Sequence, residues 1–171
     1  MAPDARASAA AMARLLAEVR ADRVALRARL ADGAEARRRL GHDPTDPGAQ
    51  ALAGVAIHAW YTGVECVFER VARQIDGAVP TGERWHRDLA FQATAAVPGL
   101  RPPLVPAEAM GDLLSLLAFR HFFRHAYAVT FESNRLLEEL DHLDRASGPV
   151  EQGLDGFEAF LRAALDELAL L

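Results

Sequence analysis

The sequence predicts an all-α fold, an up-and-down antiparallel bundle of about five helices, and three observations lead there. Apolar residues recur at spacings of three and four along most of the chain. No stretch alternates with the period of two that a half-buried strand shows, and clusters of glycine and proline cut the periodic segments apart at short intervals. At 171 residues the chain is long enough for one helical core and too short to suggest two.

Met12, Leu16, Val19, Leu26 and Leu30 mark a first amphipathic helix over roughly residues 8–31, ended near Gly33, with a short continuation before Gly41. Gly41-His42-Asp43-Pro44-Thr45-Asp46-Pro47-Gly48 reads as a loop. Ile57, Tyr61, Val64, Phe68, Val71 and Ile75 then follow the alternating four-and-three spacing of a bundle seam, and Gly77 to Gly82 stop that second helix. Thr81 is a candidate cap for a short third helix carrying Trp85, Leu89 and Gln92. Pro98, Pro102, Pro103 and Pro106 keep the next segment from being helical throughout, and Pro106 suits the first turn of a long fourth helix over roughly 106–143. Ala146-Ser147-Gly148-Pro149 predicts another break, after which Leu154, Phe157, Leu161, Ala164, Leu168 and Leu171 define the last helix. The expected organisation is one domain over 1–171: an arginine-rich N-terminal helix and loop (1–45), a middle part (50–143) and a C-terminal amphipathic helix (150–171).

Composition narrows the classes of function. The formal net charge of −5 argues against bulk electrostatic attraction to nucleic acid. Charge is unevenly placed, however: residues 1–40 hold nine arginines against Asp4, Glu18, Asp22, Asp32 and Glu35, a local net of +4 that leaves −9 for the rest. All 19 basic residues are arginine, a bias that goes with the abundant alanine. A lone Cys66 cannot form an internal disulfide, and its place in an apolar helix predicts a small buried thiol. Neither a membrane-spanning apolar run nor a basic start followed by a hydrophobic signal region is evident, so the expected location is cytoplasmic, without membrane partners.

The fourth helix carries the chemistry. Arg120-His121-Phe122-Phe123-Arg124-His125-Ala126-Tyr127 interrupts an otherwise apolar pattern. Charged side chains are rarely buried unpaired, so such a helix either reaches water or builds a site. On a helical wheel Leu116, Phe119, Phe123, Ala126, Thr130, Ser133, Leu137 and Leu140 form the core stripe, and Arg120, His121, Arg124 and His125 face away from it. Leu113, Leu114, Leu117 and Phe131 frame that second arc, which predicts contact with a second copy of the chain.

Histidine is poised for proton transfer near neutral pH, and arginine is a permanent cation whose fork matches phosphate oxygens. Together they suit attack of a ribose 2′-hydroxyl on its own phosphate: a base takes the hydroxyl proton, an acid protonates the leaving 5′-oxygen, and a fixed cation stabilises the extra charge. That reaction needs no metal or other cofactor. Arg120 and His125 are five apart and diverge by about 140° on one helix. A homodimer would relieve that divergence and supply two histidines. Phe122, Phe131 and Tyr127 flank the cluster and could stack unpaired bases, so single-stranded RNA is the expected substrate class.

Arg120-x4-His125-x-Tyr127 resembles the Arg-x4–6-His motif of HEPN domains with the His-x-Tyr extension of HepT-like ribonuclease toxins. The segments Trp60-Tyr61-Thr62-Gly63-Val64-Glu65 and Gly82-Glu83-Arg84-Trp85-His86-Arg87-Asp88-Leu89 are also similar to that family, so the resemblance covers roughly 50–143. It implies a HEPN-like bundle and a metal-independent endoribonuclease toxin, active as a homodimer, with Arg120 and His125 catalytic. It further implies that Tyr127 is where a separate partner, a minimal nucleotidyltransferase antitoxin, attaches AMP. Bulk and negative charge beside Arg120 and Arg124 would then occupy the place of an RNA phosphate.

His121, Arg124 and Glu65 are expected in support. Glu65 could pair with Arg120 or Arg124 across the bundle and orient the guanidinium without doing chemistry. Trp85 and His86 are either a lip of the cleft or a packing anchor. His121 and His125 have the i, i+4 spacing of metal ligands, and Glu65 or Glu69 could reach them, but no clear third and fourth ligand accompanies them. The rival from another class is a non-catalytic helical subunit that uses this face to dock a nucleotidyltransferase or a nucleotide.

Overall fold

A computed structural model describes residues 3–125 and 132–170. Five α-helices are found among them: α1 (Pro3–His42), α2 (Pro47–Val71), α3 (Trp85–Thr94), α4 (Met110–His125) and α5 (Ser133–Ala169). A π turn, Ala72–Asp76, extends α2, and a 3-10 turn, Ala107–Ala109, leads into α4. The all-α bundle expected from the sequence is the observed fold.

Ion pairs report how the helices run. Arg70 of α2 meets Glu18 and Asp22 of α1. Arg23 and Arg37 of α1 meet Glu158 and Asp144 of α5, and Asp112 of α4 meets His142 and Arg145 of α5. Along α1 the residue numbers rise from Arg23 to Arg37 while their partners on α5 fall from Glu158 to Asp144, so these two helices are antiparallel. Leu15, Val19, Ile57, Trp60, Val64, Leu113, Leu116, Leu140, Leu154 and Phe157 are all buried in one core. The predicted seam of the second helix is buried from Ile57 to Val71. Asp46 caps α2 by accepting from Gly48 N–H at 2.9 Å and Ala49 N–H at 3.1 Å, with Pro47 at the first helical position.

Several sequence expectations are corrected. Gly33 does not end α1: it is a buried helical residue, and a Cβ there would lie 3.2 Å from Leu143 and 3.3 Å from Leu140. The residue serves close approach of α1 and α5, while Ala36 and Leu40 continue the buried stripe beyond it. The break at 146–149 is likewise absent. Pro149 lies inside α5, where it removes one backbone donor, yet Leu143, Ala146, Val150 and Leu154 keep one continuous buried face. Tertiary packing overrides the local breaker. The helix expected over 106–143 is instead α4, which begins at Met110 and is described to His125, and a separate α5 beginning at Ser133, so that α5 runs back along α4. Its first turn is tied to the α1–α2 loop, where the Ser133 hydroxyl donates to the Pro44 carbonyl and accepts from Gln50.

Thr81 is not the cap of α3, which begins after Arg84 without a side-chain cap. Cys66 is exposed rather than buried. Partial desolvation, with Asp22, Glu65 and Glu69 adding to it, pushes its thiol upward and away from the reactive thiolate. Finally, Pro47–Asp76 is long and apolar enough by composition to cross a membrane, with a mean hydropathy of 1.3, where the sequence reading saw no such run. It is the central helix of the bundle, and Ile57, Trp60, Val64, Val67 and Phe68 are covered by the rest of the core.

Candidate active site

The basic cluster occupies the last two turns of α4, and α2 and the start of α3 complete it. Leu113, Leu116, Leu117 and Phe119 anchor α4 in the core and fix its rotation. Close approach to α2 is possible because position 54 is glycine: a Cβ there would fall 2.6 Å from the Phe123 ring. The same ring packs against His58, with centroids 5.2 Å apart.

Arg120 does not face away from the core as the wheel suggests. It is 6% exposed and points toward α2. Its Nη2 donates to Glu65 Oε2 at 2.9 Å and its Nε to the Thr62 hydroxyl at 3.4 Å. Nη1 is buried with no hydrogen-bond partner. The reason for the difference is that the arc holding Leu113, Leu117 and Arg120 is buried within the chain itself, against α2 and α3. Those leucines therefore do not call for a second copy of the chain.

Glu65 is 5% exposed and divides its carboxylate between two partners. Oε2 takes Arg120, and Oε1 accepts from His86 Nδ1 at 2.5 Å. The expected pairing with Arg120 is thus observed, and a second one with α3 joins it. The His86 ring stacks on Trp85 at 3.7 Å and meets the His121 ring edge-on at 5.1 Å. His86 is a packed residue held by a buried carboxylate, and local sequence does not distinguish that from the lip of a cleft. Its partner lies 21 residues away on another helix, at a separation no local motif encodes.

His121, Arg124 and His125 are exposed. His125 Nδ1 lies 2.8 Å from the His121 carbonyl, which can only accept, so Nδ1 carries the proton and Nε2 holds the lone pair. Burial, then the nearby His86, Arg120 and Arg124, outweigh Glu65 and hold the His121 imidazole below its ordinary range. His58 is lowered by burial and the same two arginines. Tyr61 is buried, and desolvation with Glu65 behind it raises its phenol well above the usual range, as suits a core tyrosine. Phe122 is 51% exposed beside these groups. Tyr127 and Phe131 lie outside the described residues. No group of three or more metal-ligating side chains occurs among the described residues.

This arrangement can hold an anion against a permanent cation and move protons through imidazoles whose tautomers are set by their neighbours. A family model described as HepT-like protein matches residues 52–161. That span includes Glu65, His86 and all of α4. No curated protein and no solved structure matches the chain significantly.

Proposed function

Because this chain belongs to the HepT-like family, we propose that it is a metal-independent endoribonuclease, the toxin of a toxin–antitoxin pair, with Arg120 and His125 as its catalytic residues. The observation that carries the reading is the family match spanning an intact Arg120-x4-His125-x-Tyr127 in the sequence, with Arg120 and His125 in the last turns of α4. Arg120 stabilises the charge that builds on the phosphoryl oxygens, and Glu65 orients its guanidinium. His125 is the acid–base group, with Nε2 free because Nδ1 is committed to a backbone carbonyl. Arg124 and His121 support the RNA backbone beside it. Two copies of the chain form the working unit, bringing exposed Phe122, Arg124 and His125 of both into one cleft for single-stranded RNA.

A separate minimal nucleotidyltransferase neutralises this activity by attaching AMP to Tyr127. The modification adds bulk and negative charge two residues after His125 and three after Arg124 in the sequence, and that charge competes with a phosphate of RNA. Intact mass after co-expression with a cognate nucleotidyltransferase tests this directly. Addition of one or more AMP units, lost in Tyr127→Phe, is the expected result. Unchanged mass in the presence of an active nucleotidyltransferase would overturn the modification.

The burial of Arg120 favours one second reading. A guanidinium closed off by Glu65 and Thr62 suits a non-catalytic subunit that uses exposed Phe122, Arg124 and His125 to dock a nucleotidyltransferase or a nucleotide. Such a protein would form a stable hetero-complex and would not cleave RNA when free of its partner.

A further inference from the structure

We propose that His86 is a second acid–base group of the cleavage site, supplied by the same chain as Arg120 and acting as the base toward the 2′-hydroxyl. The inference rests on the ribonuclease reading above.

Four histidines lie near Arg120 among the described residues, and their surroundings differ. His58 packs on Phe123, and His121 is exposed with its ring against the His86 ring. His125 is tied to a backbone carbonyl, whereas His86 is held by a buried carboxylate, with Nδ1 2.5 Å from Glu65 Oε1. A carboxylate accepts and does not donate, so Nδ1–H of His86 is fixed and Nε2 presents the basic lone pair. The ring is gripped by Trp85 on one face and met by the His121 edge. A carboxylate behind an imidazole does two things: it sets the tautomer and stabilises the imidazolium formed once a proton arrives. The groups around His86 are Glu65 from α2, Arg120 and His121 from α4, and Arg84, Arg87 and Asp88 on its own segment. Glu65 is the carboxylate in direct contact. The side chain is 14% exposed, so the ring is ordered by packing yet reaches the surface.

The step balances within these groups. The 2′-O–H bond breaks and its proton goes to His86 Nε2, while the 2′-oxygen forms a bond to phosphorus. The P–O5′ bond breaks, and the leaving oxygen takes a proton from Nε2 of His125, which enters the step as the imidazolium and leaves it as the neutral ring with Nδ1–H on the His121 carbonyl. A 2′,3′-cyclic phosphate and a 5′-hydroxyl result, and solvent exchange returns both histidines to their starting states. Arg120 shares Glu65 with His86, so the cation and the base are set by one carboxylate.

The test uses the unmodified full chain, a labelled single-stranded RNA, and His86→Ala and His86→Asn. The asparagine amide keeps a donor toward Glu65 but has no basic nitrogen. A general base contributes about 100-fold to 10,000-fold. Both variants should therefore lose at least about 100-fold in kcat/KM while melting like wild type, and free imidazole should restore His86→Ala in proportion to its unprotonated fraction. Near-wild-type cleavage by His86→Asn would overturn the proposal, leaving His86 a structural partner of Glu65. A loss in folded His86→Ala that imidazole does not rescue would overturn it as well. If His86→Ala fails to fold, His86→Asn alone decides. Wild-type protein that cleaves nothing removes the ribonuclease reading itself, whereas cleavage abolished by Arg120→Ala but kept in His86→Asn removes only this inference.

Discussion

The α1–α5 seam and the α2–α4 cluster each bury an arginine, and they do so differently. In the α1–α5 seam, Arg23 reaches Glu151, Asp155 and Glu158 at 2.5–2.6 Å, with Arg20, Arg27 and Arg162 sharing the same carboxylates. In the α2–α4 cluster, Arg120 has one carboxylate, which it shares with His86. Each guanidinium leaves one buried nitrogen unpartnered, Nε of Arg23 and Nη1 of Arg120. The difference lies in how fully the charge is answered. Three carboxylates contact Arg23 directly, though Arg20, Arg27 and Arg162 share them, whereas Arg120 has Glu65 alone and the exposed Arg124 one turn along the same helix is the cation that meets an incoming anion. Of the nine arginines in residues 1–40, Arg20, Arg23, Arg27 and Arg37 pair with the acidic face of α5.

The sharpest way to break this comparison is to delete each arginine and read both activity and stability. Arg120→Ala is expected to reduce RNA cleavage by about 1,000-fold, the scale of losing a principal charge-stabilising donor. The variant stays folded, because Glu65 keeps His86 as a partner. Arg23→Ala should leave cleavage of the folded protein unchanged and lower stability by about 1–3 kcal/mol, since it removes the guanidinium that joins Glu151, Asp155 and Glu158 across the seam, although Arg20 and Arg162 still partner Glu158. Chemical denaturation and a cleavage assay on the same two proteins check both halves. A seam variant that loses activity while folded would erase the distinction.

Arg101 extends the comparison to a buried arginine the sequence did not single out. It pairs with both Asp76 oxygens at 2.6 and 2.7 Å and donates to the Gln92, Ala95 and Pro102 carbonyls, clipping the segment after α3 to the π turn. Burial opposes ionisation of Asp76, but the Arg101 and Gln92 hydrogen bonds outweigh it and hold the carboxyl below its ordinary range. Arg101→Ala should also cost about 3 kcal/mol in denaturant unfolding.

Acid separates the regions more gently. Burial raises Glu151 and Glu158, but hydrogen bonds from Arg23, with Arg27 on the one and Arg20 on the other, pull both below the ordinary glutamate value. A carboxyl with a lowered folded-state pKa contributes stability that is present above about pH 4.3 and lost as pH falls through the folded value. Thermal melting should therefore drop steeply below about pH 4.3, and Arg23→Ala should flatten that dependence. The smallest effect concerns Glu139, which burial raises despite Arg135. Here the sign is opposite: stability declines as pH rises from about 4.3 toward the folded value. Glu139→Gln should match or exceed wild type at neutral pH by up to about 1 kcal/mol and give no gain in acid.

The helical class and the core were legible because burial follows spacing: Ile57, Tyr61, Val64 and Phe68 on α2, and Leu116 and Phe119 on α4, lie where a period of 3.6 puts them. Gly33 and Pro149 misled because local breakers lose to packing once a continuous apolar face crosses them. The motif on α4 was legible, and so was the Glu65–Arg120 pair. The inward turn of Arg120 was not, because a wheel for one helix cannot tell which of two apolar arcs neighbours cover. His86 was out of reach for a similar reason. Its meaning comes from a carboxylate on another helix, and only the bundle brings the two within 2.5 Å.

Cleavage of RNA at the Arg120 cluster is the proposed activity. Its most direct measurement is cleavage of a labelled single-stranded RNA by the unmodified protein in excess chelator, beside Arg120→Ala and His125→Ala of the same fold and oligomeric state. Wild-type protein should cleave with the chelator present and leave cyclic-phosphate ends, and both variants should be inactive. Cleavage that persists in both variants, or that requires a divalent metal, would contradict that assignment.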